Sequence, residues 1–322
     1  MSTSCPLVSI CIPCYNSAAY VEETISCLLS QSYQNLEVIL IDDGSTDHTE
    51  KVLGTIKDQR FRYVVQENKG AAAARNKAYQ LSKGDYIKFM DANDLINFQC
   101  IESQLSRLHD DPDCIASAKW GRFYKPDHSD FMLAKEKVWM DMPGINWLIN
   151  SLIETGANMM QPGIFLLPRK IVEKAGPWNQ SLSLIDDFDF MVRVITICSS
   201  VLFCEEALLM YRSGIPGSLS GKKTSKHIQS AFDSLNLGIE RILQVKNDEQ
   251  SRRACANIYK RWSTIFYPEY EELYGMIEAK IDQLGGASIP LVGSKLTRLF
   301  TMTIGWKNTK KLKKFLRPNS NE

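Results

Sequence analysis

The sequence predicts an α/β fold, in which helices flank a mostly parallel mixed sheet and a helical C-terminal extension follows. First, short β-rich runs and amphipathic helical patterns alternate over the first 125 residues, which is typical of βαβ units. Second, the pattern from Lys226 to Leu284 is almost entirely helical. Third, 322 residues with 44% hydrophobic content are enough to bury a large core and to add an appendage or a second domain.

Predicted strands and helices follow one another closely in the N-terminal half. The four predicted strands are Val8–Ile12, Glu37–Ile41, Arg62–Gln66 and Tyr86–Met90. The helical patterns between them, each with an apolar face, are Ser17–Ser30, Thr46–Lys57 and Ala71–Leu81. After about residue 126 the alternation fades, and the predicted elements are helices at Trp139–Thr155 and Asp187–Ser199 and strands at Gly163–Leu167 and Val201–Phe203.

This pattern divides the chain into an α/β domain of residues 1–224, a helical region of residues 225–285 and a basic amphipathic tail of residues 286–322. Within the tail, Lys295–Arg317 contains eight Lys or Arg residues and no acidic residue, interleaved with large apolar side chains. Such a segment either contacts an anionic membrane surface or forms a solvated terminal helix.

Composition excludes several classes of protein. A net charge of +1 gives no reason to expect nucleic acid as a partner. The N-terminus lacks the pattern of a signal peptide, and no apolar run approaches 18 residues, so we expect a cytoplasmic protein without a spanning helix. Nine cysteines without disulfide-framework spacing suggest reduced thiols. Cys11 and Cys14 form a CxxC pair, but Cys11 lies inside an apolar run, so packing is the simpler interpretation than redox chemistry or zinc binding.

Polar and aromatic side chains follow the first two predicted strands. Pro13, Tyr15 and Asn16 come after the first strand, and the pair Asp42–Asp43 follows the second. In a parallel α/β sheet, ligands bind outside the carboxyl ends of strands. An aromatic face beside a carboxylate offers a pyrimidine base both stacking and an acceptor for its N3–H. The segment therefore predicts a nucleotide site.

Two further motifs extend this site. Arg75 lies in the first turn of a helix of small residues, from which a guanidinium reaches a base or a phosphate unless it forms a surface salt bridge. Asp91 and Asn93 follow the fourth strand, and each offers an oxygen to a hard cation that would bridge a diphosphate.

The motifs PCYN, LIDDGSTD, GAAAARN and FMDAND, in this order, resemble those of the family 2 glycosyltransferases, inverting enzymes of the GT-A fold that use nucleotide sugars. The resemblance covers roughly Leu7 to Ser220. It implies that Tyr15 packs on the base, that Asp43 accepts the N3–H, and that Arg75, Pro13, Asn16 and Ala92 line the nucleotide site. It also implies Mn²⁺ or Mg²⁺ at Asp91 and Asn93, where the family usually has aspartate in place of Asn93.

The same resemblance assigns the acid–base chemistry. Asp187 falls on the general base that deprotonates the acceptor hydroxyl, and Asp186 stands where the family has glutamate; alternatively, the two cap a helix. The family also has a Tyr-Arg pair, which matches Tyr211-Arg212. A flexible lid loop follows this pair in the family and ends in a Ser-x-Ser motif, which matches Ser218-Leu219-Ser220. Arg212, Ser218 and Lys222 are candidate diphosphate contacts in that lid, because Gly214 stands where many relatives have histidine.

The function expected from these residues is transfer of a sugar from a nucleotide donor, with UDP favoured, to a hydroxyl group of a glycan or glycolipid. Two alternatives stay open. A sugar- or nucleotide-binding module without turnover would explain Asn93 and Gly214. An NAD-linked Rossmann enzyme would need a glycine motif after the first strand, where this chain has PCYNSAAY.

Overall fold

A computed structural model of the chain describes residues 5–108, 111–157, 159–218, 221, 224–290, 303 and 305–316. The chain divides into two compact units. The first consists of Met1–Leu148 and Met160–Ile242, and the second of Ile149–Met159 and Leu243–Glu322. All the strands found among the described residues belong to the first unit.

The described residues form ten strands, and the longer ones are rich in buried apolar side chains. They are β1 (Val8–Cys14), β2 (Leu36–Asp42), β3 (Phe61–Val65), β4 (Tyr86–Phe89), β5 (Leu95–Ile96), β6 (Ile115–Phe123), β7 (Met132–Leu133), β8 (Met142–Pro143), β9 (Leu167–Pro168) and β10 (Ser200–Arg212).

A first sheet has the order β3-β2-β1-β4-β9. Strands β1 to β4 run parallel, and β9 joins β4 in the antiparallel direction. The central strands β1 and β2 are buried along most of their length, as expected for a sheet covered on both faces. Because β1, β2 and β4 are parallel neighbours, the loops after Cys14, Asp42 and Phe89 leave the same edge of the sheet.

A second sheet has the order β5-β10-β6-β7, with β8 also paired to β10. β10 runs parallel to β6 and antiparallel to β5, with a register shift between Cys204 and Leu208. This sheet brings the C-terminal end of β10 next to the loop that joins β4 to β5.

Eleven helices are found among the described residues. They are α1 (Val21–Leu29), α2 (Thr49–Leu53), α3 (Ala71–Leu81), α4 (Cys100–Leu108), α5 (Gly144–Ile153), α6 (Arg169–Ala175), α7 (Asp186–Ile197), α8 (Ser225–Val245), α9 (Glu249–Phe266), α10 (Glu271–Gln283) and α11 (Trp306–Leu316).

The α/β prediction is confirmed, and the first four predicted strands are all present. Some elements differ from the prediction. α5 begins at Gly144 rather than Trp139, because Pro143 belongs to the short strand β8. The stretch Gly163–Leu167 is mostly not a strand: a 3-10 turn over Pro162–Ile164 comes first, and only Leu167 joins β9. Strand β6 and helices α4 and α6 were not predicted.

The second unit is helical. Within it, the side chain of Asn257 in α9 donates to Ser288 Oγ (3.0 Å) and accepts from the Ser288 N–H (2.8 Å), which holds the chain beyond α10. Trp306 of α11 packs its ring 5.2 Å from Tyr267 and 5.6 Å from Tyr274, measured between ring centroids. Among the described residues, no helix combines the length and apolar character that are required to cross a bilayer.

Candidate active site

The loops after β1 and β2 are tied together by Asn16. Its backbone is left-handed (φ 49°), a conformation that asparagine tolerates. The Asn16 N–H donates to Ser45 Oγ (2.9 Å), and Asn16 Oδ1 accepts from the Thr46 N–H (2.7 Å). Pro13 lies within β1, and the next residue beyond the strand, Tyr15, is 46% exposed. The tyrosine ring is thus accessible to a flat ligand at the sheet edge.

Asp43 is a buried carboxylate that organises the loop before α3. Its Oδ1 accepts from Gln66 Nε2 (2.7 Å) and the Lys69 N–H (2.9 Å), and its Oδ2 accepts from the Gly70 N–H (2.8 Å). A carboxylate oxygen has about two acceptor positions, so one position stays available on Oδ2. Gly70 has φ +90°, which a glycine adopts without strain. Asp43 therefore both shapes the loop and keeps one acceptor for a ligand N–H.

Arg75 is buried and bridges two carboxylates, rather than forming a surface salt bridge. Its Nη1 lies 2.8 Å from Asp186 Oδ2, and its Nη2 lies 3.0 Å from Asp91 Oδ1. The guanidinium carbon lies 4.5 Å from the ring centroid of Trp178. Burial opposes the charge, but Asp186 and Asp91 outweigh it, and the pKa of Arg75 is raised. Arg75 thus joins the loop after β4 to the start of α7.

The loop after β4 turns its acidic residues in different directions. Asp91 has a side chain 30% exposed, whereas Ala92 and Asp94 are buried. Asp94 accepts from the Arg212 N–H (2.9 Å) and from Gln161 Nε2 (2.9 Å). Burial, and then the nearby Asp91, raises the pKa of Asp94 well above its usual range. Asp94 therefore supports the loop from inside, and only Asp91 offers an accessible carboxylate there.

The loop after β4 suits a divalent cation that takes some of its ligands from the protein and the others from a substrate. Among the described residues, no group of three or more His, Cys, Asp or Glu side chains could hold a metal ion by itself. Asp91 and Asn93 supply hard oxygen donors, but only one of them carries charge. Mg²⁺ is often bound by one or two carboxylates together with substrate phosphates. The donor set thus suits a cation that takes its remaining ligands from a diphosphate.

Asp186 and Asp187 are the first two residues of α7. Asp186 Oδ1 accepts from the Asp187 N–H (3.1 Å), and Asp187 Oδ1 accepts from the Phe188 N–H (2.9 Å), so each carboxylate also serves a helix-terminal amide. Burial, and then the adjacent Asp186, raises the pKa of Asp187 to about 7. A general base is most effective when its pKa lies near the working pH. Asp189, by contrast, pairs with Arg193 (2.8 Å).

Arg212 holds the loop after β4 in place. Its Nε donates to the Asn93 carbonyl (2.9 Å), and its Nη2 lies 2.5 Å from Glu23 Oε2 in α1. The guanidinium carbon also lies 4.5 Å from the ring centroid of Phe123. Ser218 is half-buried, and its N–H donates to the Ile215 carbonyl (3.3 Å). Lys222 lies outside the described residues.

Two residues near this cluster were not foreseen. Gln161 contacts both Asp91 and Asp94, and Asn76 exchanges two hydrogen bonds with the backbone of Trp178. A single amide side chain in a loop has no motif around it, so no sequence pattern indicates Gln161. Asn76 directly follows Arg75 in the GAAAARN motif, and this position next to a candidate site residue is what could have indicated Asn76. Trp178 itself is buried and stacks on Phe190 with ring centroids 4.0 Å apart, which is core packing.

The CxxC pair lies in the core. Cys11 and Cys14 are buried free thiols. Burial is the largest cause of a raised pKa in both, to about 12 for Cys14 and higher for Cys11. Since the thiolate is the reactive and metal-binding form, these side chains act as small apolar residues.

Comparison with known proteins gives a consistent family. The family model described as Glycosyl transferase family 2 matches residues 9–174, just over half of the chain. Glycosyltransferase GlyG of Streptococcus pneumoniae is 30% identical over 218 residues, which cover 64% of this chain and 70% of GlyG. Glycosyltransferases of Rickettsia felis, Rickettsia typhi and Rickettsia prowazekii are 31% to 32% identical over 64% to 69% of this chain, and the matches span only 36% to 65% of their own lengths.

Two solved structures share the fold. S. aureus TarS 1-349 in complex with UDP-GlcNAc has a TM-score of 0.69 at 16% identity, over 98% of this chain and 93% of TarS 1-349. The mannosyltransferase PcManGT from Pyrobaculum calidifontis in complex with GDP-Man and Mn²⁺ has a TM-score of 0.55 at 16% identity, over 97% of this chain and 88% of PcManGT. At this identity the likeness is one of fold, and the shared fold is GT-A. The match of the family model over more than half of the chain shows that the chain belongs to glycosyltransferase family 2.

Proposed function

We propose that this glycosyltransferase moves a hexose from a UDP-sugar to a hydroxyl group of a glycan or glycolipid acceptor, with inversion at the anomeric carbon. The observation that carries the proposal is Asp187, a carboxylate with a pKa raised to about 7 by burial and by its neighbour Asp186. Asp186 is connected through Arg75 to Asp91, so the candidate base and the candidate diphosphate site share one network. The UDP-GlcNAc complex of TarS supports a uridine donor.

The donor end of the proposed site consists of the loops after β1 and β2. Tyr15 stacks on the base, and the remaining acceptor position of Asp43 Oδ2 takes the N3–H. Pro13, Asn16 and Ala92 shape the walls of this pocket. Ser218 belongs to the segment Ser213–Ser218, which closes over the diphosphate and excludes water. Arg212, which already pairs with Glu23, holds the loop after β4 for that closure.

The acceptor end of the proposed site is Asp187. Its ionised carboxylate takes the proton of the acceptor hydroxyl as that oxygen forms a bond to C1 of the donor sugar. The bond between C1 and the diphosphate oxygen breaks on the opposite face, and its electron pair leaves with UDP. Attack and departure on opposite faces invert C1. Asp186 keeps Arg75 in place and, through its charge, keeps the pKa of Asp187 high.

Mn²⁺ or Mg²⁺ is the proposed cofactor, with Asp91 and Asn93 as its protein ligands. When bound, the cation neutralises the charge that builds on the departing diphosphate. PcManGT with GDP-Man and Mn²⁺ supports the use of a divalent cation by this fold. Because Asn93 brings no charge, we expect weaker binding of the free cation than at a site with two aspartates, and tighter binding once UDP is present.

The direct test is turnover of a panel of UDP-sugars, with Mn²⁺ and with a chelator, followed by NMR of the anomeric configuration. We expect metal-dependent transfer or slow hydrolysis of at least one donor, with an inverted product. Tyr15→Ala should raise the donor KM about 10- to 100-fold through lost stacking. A Tyr15→Phe control should keep the wild-type KM. Retention at C1, or a donor KM that Tyr15→Ala leaves unchanged, would contradict the assignment.

A binding module without turnover is the second candidate. Asn93 and Gly214 favour it, because both depart from the residues that this family usually has there. Gly214 has φ +77°, and a Cβ at this position would lie 3.1 Å from the ring of Tyr124, so a histidine would need local rearrangement. UDP binding without transfer or hydrolysis of any donor would support this candidate. A rate that is lost on replacement of Asp187 would exclude it.

We also propose that the protein acts in the cytoplasm, in polysaccharide assembly, with its basic tail at the inner face of the membrane. Free thiols at all nine cysteines support a reducing compartment. α11 has a basic sequence, and its Phe315 is 80% exposed. An exposed aromatic among lysines is the pattern of a helix that lies in an anionic lipid interface.

A further inference from the structure

The amide of Gln161 lies between the two carboxylates of the loop after β4. Gln161 is only 4% exposed and immediately precedes the 3-10 turn Pro162–Ile164. Its Nε2 is 2.9 Å from Asp94 Oδ2 and 3.4 Å from Asp91 Oδ2. The amide therefore touches both a buried and an accessible carboxylate of the same loop.

The orientation of this amide is determined by its surroundings. Asp91 is ion-paired with Arg75, and an ionised carboxylate only accepts hydrogen bonds. The NH₂ group of Gln161 therefore faces Asp91, and its Nε2 also lies within hydrogen-bond distance of Asp94. Gln161 Oε1 is buried without a hydrogen-bond partner among the described residues. It points at Gly163, where an added Cβ would lie 2.7 Å from Oε1 and 2.8 Å from Met90 Sδ. Leaving a buried carbonyl unpaired costs stability, and the contact that offsets it is the one to the carboxylates.

Asp91 is thereby held at both of its oxygens. Oδ1 receives Arg75 Nη2 at 3.0 Å, and Oδ2 receives Gln161 Nε2 at 3.4 Å. Each oxygen keeps a further acceptor position, and the side chain remains 30% exposed. The free acceptor positions of Asp91 thus point in a direction that the protein, rather than the ligand, determines.

We propose that Gln161 is a positioning residue that aims the Asp91 carboxylate at the divalent cation bound with the donor diphosphate. The proposal rests on the function proposed above. Residues that orient a metal ligand typically change metal affinity about 10- to 100-fold when they are replaced. A residue with only a packing role would instead change stability and leave the metal dependence of nucleotide binding as it was.

The test compares the affinity for UDP with Mn²⁺ and with a chelator, measured by calorimetry on the full chain. The dissociation constant with chelator, divided by the dissociation constant with Mn²⁺, reports the contribution of the cation to UDP binding. For Gln161→Leu, which keeps the volume and removes the amide, we expect this ratio to fall about 10- to 100-fold. We expect the dissociation constant with chelator to stay within about twofold, because Tyr15 and Asp43 are untouched. Gln161→Glu, which adds a third carboxylate, should impair Mn²⁺-dependent UDP binding more than Gln161→Leu.

Gln31→Leu is the matched control. Gln31 is also a buried amide of the first unit, and its Nε2 donates to the Asn97 carbonyl at 2.9 Å. This variant should lose stability and keep the wild-type ratio. Gly163→Ala provides an independent arm, since its methyl group would displace Gln161 Oε1 without altering any polar group. It should reproduce the fall in the ratio in milder form.

The outcomes distinguish a failure of the proposed function from a failure of the role proposed for Gln161. If the wild type does not bind UDP with any divalent cation, the proposed function fails, and the role of Gln161 fails with it. If the wild type binds UDP and Mn²⁺ but Gln161→Leu keeps the wild-type ratio, only the role of Gln161 is overturned. A parallel loss of affinity with Mn²⁺ and with chelator would likewise reduce Gln161 to a packing residue.

Discussion

Asp187 shows how one residue obtains its chemistry from its neighbours. Three carboxylates, those of Asp91, Asp186 and Asp187, surround the single guanidinium of Arg75. The guanidinium neutralises one negative charge, and burial penalises the rest, so the pKa of Asp187 rises to about 7. The same carboxylate in water would have a pKa near 4 and would be a weak base at neutral pH.

Asp187→Asn should therefore lower turnover by about 10²- to 10⁴-fold, the usual contribution of a general base. In the wild type, kcat/KM should rise with pH through about 7 and level off above it, because only the ionised carboxylate accepts the proton. The measurement is the pH profile of kcat/KM. Asp189→Asn, which removes the partner of Arg193 instead, is the control and should keep the profile. Full turnover in Asp187→Asn would show that another group is the base.

At the scale of one element, the start of α7 is strained. Ile185 precedes the helix with φ 53°, in the left-handed region, which is a genuine outlier for a β-branched residue. The Ile185 carbonyl accepts from Ser234 Oγ (2.7 Å) and from the Phe188 N–H (3.1 Å). These two bonds hold a conformation that the side chain disfavours, and Asp186 and Asp187 follow directly. Strain of this kind concentrates where a site needs a fixed geometry.

Replacing Ile185 by Gly and by Ala separates the backbone from the side chain. Both variants lose the same contacts, but only glycine adopts the left-handed conformation without strain, so Ile185→Gly should be about 1 kcal/mol more stable than Ile185→Ala. In an ordinary helix interior the order is the reverse. Urea unfolding measures the difference. Alanine equal to or more stable than glycine would mean that the backbone at this position carries no strain.

The elements also show what the sequence determines by itself. Strands β1 to β4 were predictable because their apolar β-rich runs lie between polar strand-end loops and amphipathic helices. β6 is not predicted because ASAKWG, within Ile115–Phe123, consists mostly of small residues and contains a lysine, although most of the strand is buried between β10 and β7. GIFLL was misread because its 3-10 turn and a two-residue strand depend on neighbours distant in sequence. The site motifs were recognisable, but the Arg75 bridge and the Gln161 contact needed the fold.

At the scale of the whole molecule, charge is unevenly distributed. The net charge of the chain is only +1, yet Lys295–Arg317 holds eight basic residues and no acidic one. The acidic site cluster and this basic segment are far apart in sequence. A protein that is nearly neutral as a whole can thus carry one strongly cationic segment for an anionic surface.

Vesicle co-sedimentation tests this membrane proposal. The full chain should bind vesicles that contain phosphatidylglycerol at low salt, and it should stay unbound with pure phosphatidylcholine. Replacing Lys310, Lys311, Lys313 and Lys314 by Gln should weaken binding about 10²- to 10³-fold, since each basic residue contributes about 1 kcal/mol near an anionic surface. Binding that neither salt nor these replacements reduce would contradict an electrostatic tail.

The Arg75 bridge has a consequence for how activity could be lost during descent from this protein. Asp91 and Asp186 lie 16 and 111 residues from Arg75 along the chain. Removing Arg75 leaves the buried Asp186 carboxylate without its cation, which typically costs about 3–5 kcal/mol. A descendant that abandons catalysis and stays folded would therefore lose Asp186 together with Arg75, whereas the partly exposed Asp91 could be replaced alone because Arg75 would keep Asp186 as its partner. Such a copy would be identified by the joint loss of Arg75 and Asp186 while Tyr15 and Asp43 persist, which is the pattern expected of lost turnover with retained nucleotide binding.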